Sequence, residues 1–403
     1  MAKDNFFAPS VAAPSVRFYS SIVTARNEWD KILPAGHTLM GSNYLEALET
    51  AIGKDVRFFY TINELDNEAV ALGVFQLITF SGAHIEKNGT PTEVSLKNLL
   101  YKAVRIALIS VVNQISLKLL VSGNSFVTGD YGFYLTPEVR TTPMVDTVIN
   151  NSIREVILRS KQKVDGILIK DYYEKDKALL QKLVSHGYLE FRVNPNMILQ
   201  IRPHWHTFVD YLEDMVSKYR TRMRKALKRA SALQVREMNV AEIQKRLPEI
   251  RILYNNVLNE AAFKLGSLPP EVFFAIKSNL KEKFGMIGFF EADRMVAFIT
   301  YYLHKEDLVA GYMGIDRTVN QQYDLYLNIL LRLAETAILR KMKRVIYGRT
   351  AMEIKSSVGA EPYPMYLYVK HRSVLINKII RQVIKFLSRE EKWTKRNPFK
   401  SDR

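Results

Sequence analysis

The chain has 403 residues, 58 of them Lys or Arg against 41 Asp or Glu, a formal charge of +17, and no cysteine. With 47% apolar residues it can bury the cores of about two domains and is not a disordered polymer. The missing cysteines exclude disulfides, thiolate catalysis and thiolate metal sites, and the charge favours an acidic partner: anionic lipid, nucleic acid or an acidic carrier protein.

Residues 1–15 are rich in Ala, Pro and Ser and read as a flexible arm. No long apolar run opens the sequence, so no signal peptide is expected and the expected location is the cytoplasm. A strand over 16–19 precedes two helices, one capped by Thr24 and running through Trp29, the other over 43–52 behind Ser42. Residues 56–61 and 69–77 read as a hairpin, followed by a helix over 96–114 and a strand over 117–122. The apolar stretch 103–121 carries Arg105, Asn113, Gln114 and Lys118. A bilayer span wants ~20 predominantly apolar residues, so this stretch reads as a buried helix and strand. The loop 123–133, with Gly123, Gly129 and Gly132, is either a long turn needing positive φ or a wrap around a substrate. Helix 145–163, strand 166–170, helix 176–186 and two strands ending at Ile201 complete the first half.

Residues 203–206 read as a linker. Helical patterning then runs from Phe208 into 217–231, followed by a strand over 234–238 and helices over 240–258 and 270–283. Short runs of apolar, β-branched and aromatic residues over 289–291, 295–302 and 308–316 predict an antiparallel meander. Next come a helix opened by Tyr323-Asp324-Leu325-Tyr326, a strand over 344–347 and a turn at Gly348. The order strand pair, helix, strand, helix, strand thus occurs twice. From Ser373 the tail is predicted helical, with Leu375, Ile379, Ile380, Val383, Ile384 and Leu387 on one side and Lys378, Arg381 and Lys385 on the other. That pattern suits the plane of an anionic membrane, and equally a helix docked on its own domain.

Three local patterns carry candidate chemistry. The helix 217–229 holds seven cations, among them Lys218, Arg220, Arg222 and Arg224, and no acid. Such like-charge spacing costs tenths of a kcal/mol per pair, which favours an anionic ligand over a merely solvated face. Thr350 and Glu353 have capping-box spacing, and Arg349, Glu353 and Lys355 lie where the preceding strand ends. Proton transfer at a reacting centre needs a positioned titratable group. The candidate bases are Asp316, Glu353 and His304, with His304 reading as a solvated turn residue; Tyr312 and Tyr326 are candidate acids toward a leaving group.

The segments GYMGID (311–316), YDLYLN (323–328) and GRTAMEIKSSVGAEPYP (348–364) resemble the FemAB-like, BioF2-like branch of the GNAT acyltransferase superfamily, over residues 250–370. The resemblance implies an α/β (α+β) fold of tandem GNAT-like domains, each a mixed, largely antiparallel sheet flanked by helices. The expected divisions are 16–203, 204–372 and a basic amphipathic tail 373–403. It implies transfer of an acyl or aminoacyl group to an amine, with Asp316, Glu353 and Tyr312 in catalytic roles. Arg349, Lys355, Tyr323, Tyr326 and Asn328 would bind substrate, and Lys218, Arg220, Arg222 and Arg224 an anionic donor or carrier. Residues 317–322 depart from the GNAT pattern, lacking the glycines of the pyrophosphate loop. The expected donor is acyl-CoA or acyl carrier protein as co-substrate, with no tightly bound cofactor and no metal. The expected acceptor is an amino-lipid or lipid precursor at the inner face of the membrane. One alternative is an aminoacyl-tRNA-dependent transferase acting on a cell-wall precursor, with tRNA as partner. A second is a binding module that keeps the fold without the chemistry.

Overall fold

The computed structural model describes residues 14–81, 116–142, 144–259, 268–387 and 393–400. The helix expected over 96–114 and nearly all of the arm 1–15 lie outside the described residues. One sheet of thirteen strands organises the rest. The first half supplies β1 (Ser15–Tyr19), β2 (Val56–Leu65), β3 (Glu68–Ser81), β4 (Ser116–Ser122), β5 (Phe133–Leu135), β6 (Gly166–Tyr173) and β7 (Leu189–Gln200). The second half supplies β8 (Gln234–Glu237), β9 (Phe284–Glu291), β10 (Arg294–His304), β11 (Asp307–Ile315), β12 (Arg344–Gly348) and β13 (Glu361–His371). The strand order is β1-β2-β3-β4-β6-β13-β7-β12-β11-β10-β9-β8, with β5 pairing β3.

The two halves repeat one plan. Each has an antiparallel meander, a long helix, a parallel strand beside the meander, and a final antiparallel strand. The parallel pairs are β4 with β6 and β11 with β12. The final strands are exchanged at the centre. β13 lies between β6 and β7, antiparallel to both, and β7 lies between β13 and β12.

Strand alternation and helix periodicity account for the layers. Helices Ile22–Ile32, Ser42–Ile52, Leu247–Leu258 and Glu271–Leu280 cover one face, where Trp29, Leu48, Phe273, Phe298 and Tyr302 are buried in one core. The opposite face carries Val145–Ser160 over the first half and Leu325–Leu339 over the second. In the latter helix Leu325, Ile329, Leu330, Leu331 and Leu333 are fully covered, and each such side chain contributes roughly 2 kcal/mol relative to exposure.

Several helix starts differ from the sequence expectation. Ser21, not Thr24, caps the first helix: its hydroxyl accepts from Val23 N at 3.3 Å. The expected helix 240–258 breaks at Arg246, just before Pro248, into Val240–Lys245 and Leu247–Leu258. Tyr323 ends a short helical turn, Asn320–Tyr323, and Asp324 then takes a left-handed conformation (φ 48°) before the long helix begins at Leu325. Thr350 caps nothing. Ala351 is the residue before the helix Met352–Ser357, at φ 52° and with no side-chain cap, so the capping box is absent.

Candidate functional site

β11 and β12 pair only from Asp307/Arg344 to Val309/Ile346. Beyond that register β11 continues to Ile315 and β12 to Gly348 without pairing each other. The Tyr347 carbonyl, freed at the fork, accepts from Lys355 Nζ at 2.7 Å, and the Gly348 carbonyl is 3.3 Å from the same nitrogen. Lys355 is 2% exposed, and burial pushes its ammonium down to about 7. An ammonium has three N–H groups, and two are engaged here.

Beside the fork, on the face of the long helix, runs a basic groove with two basins. One, of about 630 Å³, is lined by Lys218, Tyr219, Arg222, Met352, Glu353 and Arg396, among others. The other, of about 340 Å³, is lined by Arg222, Lys225, Arg229, Asn320, Asp324 and Tyr326, among others. Arg222 and Ile354 belong to both. The helix Ser217–Arg229 is seated by buried Met223 and Ala226 and by Asn328, whose Nδ2 donates to Ala226 O at 3.0 Å. Among the described residues Lys218, Arg222, Lys225 and Lys228 form no ion pair. Arg229 meets Asp324 at 2.9 Å.

The structure thus gathers Lys218, Arg222, Glu353 and Tyr326 along one groove; Lys355, on the same short helix as Glu353, is buried and lines neither basin. Glu353 is already ion-paired: Arg396 Nη2 lies 2.5 Å away and holds its carboxyl below the usual range. Burial raises the Tyr326 hydroxyl to about 12. The other expected residues lie elsewhere. Asn328 is buried and spends its amide on the Ala226, Tyr323 and Asp324 carbonyls, which leaves it a packing role. Arg220 donates to Glu213 O and Met215 O, and Arg224 faces Glu213 at 3.8 Å.

Asp316 accepts from the Thr318 hydroxyl and backbone N–H and from Arg294 at 2.8 Å. Burial alone would raise its carboxyl, but those donors hold it below its ordinary value, a poor setting for a base. The network extends through Arg294 and Glu291 to the Tyr323 hydroxyl, at 2.5 Å from Glu291. Tyr312 packs its ring against Tyr254 and Phe273, in the core on the sheet's other face. Arg349 leaves the groove altogether and meets Asp171 of the first half at 3.1 Å.

That partner explains the Gly-rich loop. Where β4 and β6 part in the first half, the chain from Gly123 to Gly132 folds back into the fork. Lys170 Nζ donates to Asn124 O at 2.8 Å and to Val127 O at 3.0 Å, and pairs with Asp171. Gly129 N donates to Asp171 at 3.2 Å from a φ of 144°, and a Cβ there would sit 2.5 Å from the Tyr131 ring. Phe126 and Val127 are buried in the core. The loop is therefore a plug in the first half's fork, while the basic groove lies beside the second half's fork.

A third space lies between the halves, on the face opposite the groove. This cavity of about 780 Å³ is lined by Asp130, Arg140, Tyr173, Asp176, Lys305 and Ile346, among others. Ile346 precedes the fork residue Tyr347 by one position. Asp130 makes no hydrogen bond or ion pair among the described residues, and its Oδ1 is shut off from solvent. Burial, then the neighbouring Asp176, push its carboxyl up to about 7. Asp176 Oδ1 pairs with Arg140 at 3.0 Å while Oδ2 has no partner. His304 is buried here rather than solvated: Nδ1 accepts from Leu39 N at 3.1 Å, and burial with Lys305 lowers it to about 3, so the ring is neutral. Sequence reasoning missed Asp130, Asp176 and Arg140; the one local signal was an acid set among Gly129, Tyr131 and Gly132.

No family model matches the sequence, and no curated protein matches it. Among solved structures, FemX superposes over 92% of this chain and 100% of its own, at 10% identity and a TM-score of 0.53. The chain has the FemX fold. Weaker likenesses are a tandem GNAT protein from the clavulanic acid biosynthesis pathway and L-PGS from Bacillus licheniformis. The former is 9% identical over 89% of this chain and 99% of its own, with a TM-score of 0.48. The latter is 13% identical over 88% and 98%, with a TM-score of 0.47. The mixed, mostly antiparallel sheet flanked by helices is thus that of FemX, in line with the FemAB-like, GNAT-type architecture implied by GYMGID and the segment from Gly348.

Proposed function

We propose that the protein is an N-acyltransferase that moves an acyl group from a thioester, on coenzyme A or an acyl carrier protein, to an amine. The observation that carries the reading is the fork between β11 and β12, with buried Lys355 at its vertex keeping, as an ammonium, a third N–H beyond the two given to the Tyr347 and Gly348 carbonyls. Beside the fork the basic groove offers Lys218, Arg222 and Lys225 to the donor's phosphates. From the opposite face, the cavity between the halves offers Asp130 to an entering ammonium. In the reaction the free amine attacks the thioester carbonyl, the carbon–sulfur bond breaks, and the thiol leaves with the proton the amine gives up. Lys355 donates to the oxyanion formed on the way.

The test is release of free thiol from long- and short-chain acyl-CoA and acyl carrier protein, with a panel of amines, by purified protein. Lys355→Met is expected to lower kcat by about 100-fold with an unchanged circular dichroism spectrum, the usual cost of one oxyanion donor. An unchanged kcat in that variant would sink the assignment.

One observation favours a second reading. Four unpaired cations on the exposed side of Ser217–Arg229 also suit a nucleic-acid backbone, which supports an aminoacyl-tRNA donor. Salt-dependent tRNA binding by the wild type, lost in Arg222→Glu/Lys225→Glu, would move the donor to that class.

A further inference from the structure

The tail helix Val374–Leu387 is fastened by one edge and leaves an apolar side open. Asn377 is the fastening residue: its Oδ1 accepts from His371 N at 2.8 Å and its Nδ2 donates to Gly187 O at 3.1 Å. At 100° per residue, Leu375 and Ile379 stand about 160° from Asn377 on either side, and Ile376 stands about 100° away. These residues face outward. Leu375 is 71% exposed, Ile379 60% and Ile376 39%, and Val374 adds 66% at the helix start. Val184, in the short helix just before Gly187, is also exposed. Single exposed apolar residues need no explanation, but a contiguous stripe on one helix does.

The charges beside the stripe name its occupant. From Ser373 to Leu387 the sequence has no acid, and Lys378 and Arg381 lie exposed on the flank between the stripe and the protein. Arg372 is exposed at the helix entry. None of the helices in the described residues is long and apolar enough to cross a bilayer. An apolar stripe flanked by cations suits the boundary of headgroups and acyl chains, lying in its plane.

We propose that the helix Val374–Leu387 docks the protein on the surface of an anionic phospholipid bilayer. Leu375, Ile376 and Ile379 enter the acyl boundary, and Arg372, Lys378 and Arg381 meet the phosphates. The docking stands independently of acyl transfer, and its readout does not involve turnover.

The experiment is flotation of the full chain with vesicles of phosphatidylcholine alone and of phosphatidylcholine mixed with phosphatidylglycerol. The protein is expected to float with the mixed vesicles, to stay behind with the neutral ones, and to release as salt rises. Leu375→Glu/Ile379→Glu should weaken partitioning by at least about tenfold, and Lys378→Glu/Arg381→Glu by a similar factor. All four residues are exposed, so melting curves should not move. Wild-type protein that ignores phosphatidylglycerol vesicles would overturn the proposal. So would a Leu375→Glu/Ile379→Glu variant that floats normally, or one that instead converts a dimer to a monomer in sedimentation, which would give the stripe to a second copy.

Discussion

At the scale of single residues, the inter-half cavity turns on a carboxylate without a partner. Asp130 titrates near 7 in the folded chain against ~3.9 in an unfolded one. Between those values the folded protein holds a proton that the unfolded chain has released, so stability falls as pH rises through that window. Asp130→Asn removes the titration. It should melt higher than wild type at pH 8 and alike at pH 4, in thermal scans at both pH values. An identical difference at the two pH values would mean that the carboxyl is solvated. If the cavity takes the acceptor, the same variant also raises KM for the amine. Lys355 and Asp130 show unequal legibility. Lys355 could be singled out because strand patterning ends at Gly348, and substrates enter where a strand ends. Its burial could not be read, since it depends on the fork exposing the Tyr347 carbonyl. Asp316 shows the converse: the end of β11 was a sound place to look, but Arg294, twenty-two positions earlier, had already taken the charge.

At the scale of elements, the plug of the first half is held by a charge cluster rather than by its glycines alone. Burial would raise the Asp171 carboxyl, but the Lys170 ammonium and the Arg349 guanidinium keep it below its ordinary value. Asp171→Ala leaves two cations facing each other in a dry setting, one of them fully buried. It should cost about 3 kcal/mol in urea unfolding, the usual penalty for orphaning a buried charge. A loss under about 1 kcal/mol would mean that water reaches the site. Most strands and the long helix were legible because their periods of two and 3.6 are local properties. The loop 123–133 was not. Its three glycines announce positive φ, but only Lys170, Asp171 and Arg349, distant in sequence, say where the loop goes. The basic helix was legible in its charge, and Met223 lies buried on its inner side. Its position over the head of Leu325–Leu339 depends on Asn328, whose role no local pattern reveals.

At the scale of the whole molecule, the repeated element order announced two similar halves, and nothing in the order announced how they join. β13 crosses to lie against β6, and β7 crosses to lie against β12, so the middle of the sheet is woven from both halves. The consequence is a mutual dependency in assembly. A chain cut between Arg202 and Pro203 would give two pieces, each with an unsatisfied strand edge where the other's last strand belongs. Expressed alone, each piece should be insoluble or aggregate. Expressed together, they should co-purify as a one-to-one heterodimer with the melting behaviour of one cooperative unit, readable by calorimetry. Two separate melting transitions, or a soluble lone piece, would show that each half closes its own sheet. The protein would then be a pair of neighbours rather than, as the weave of β7 and β13 has it, a single fabric that neither half can finish without the other.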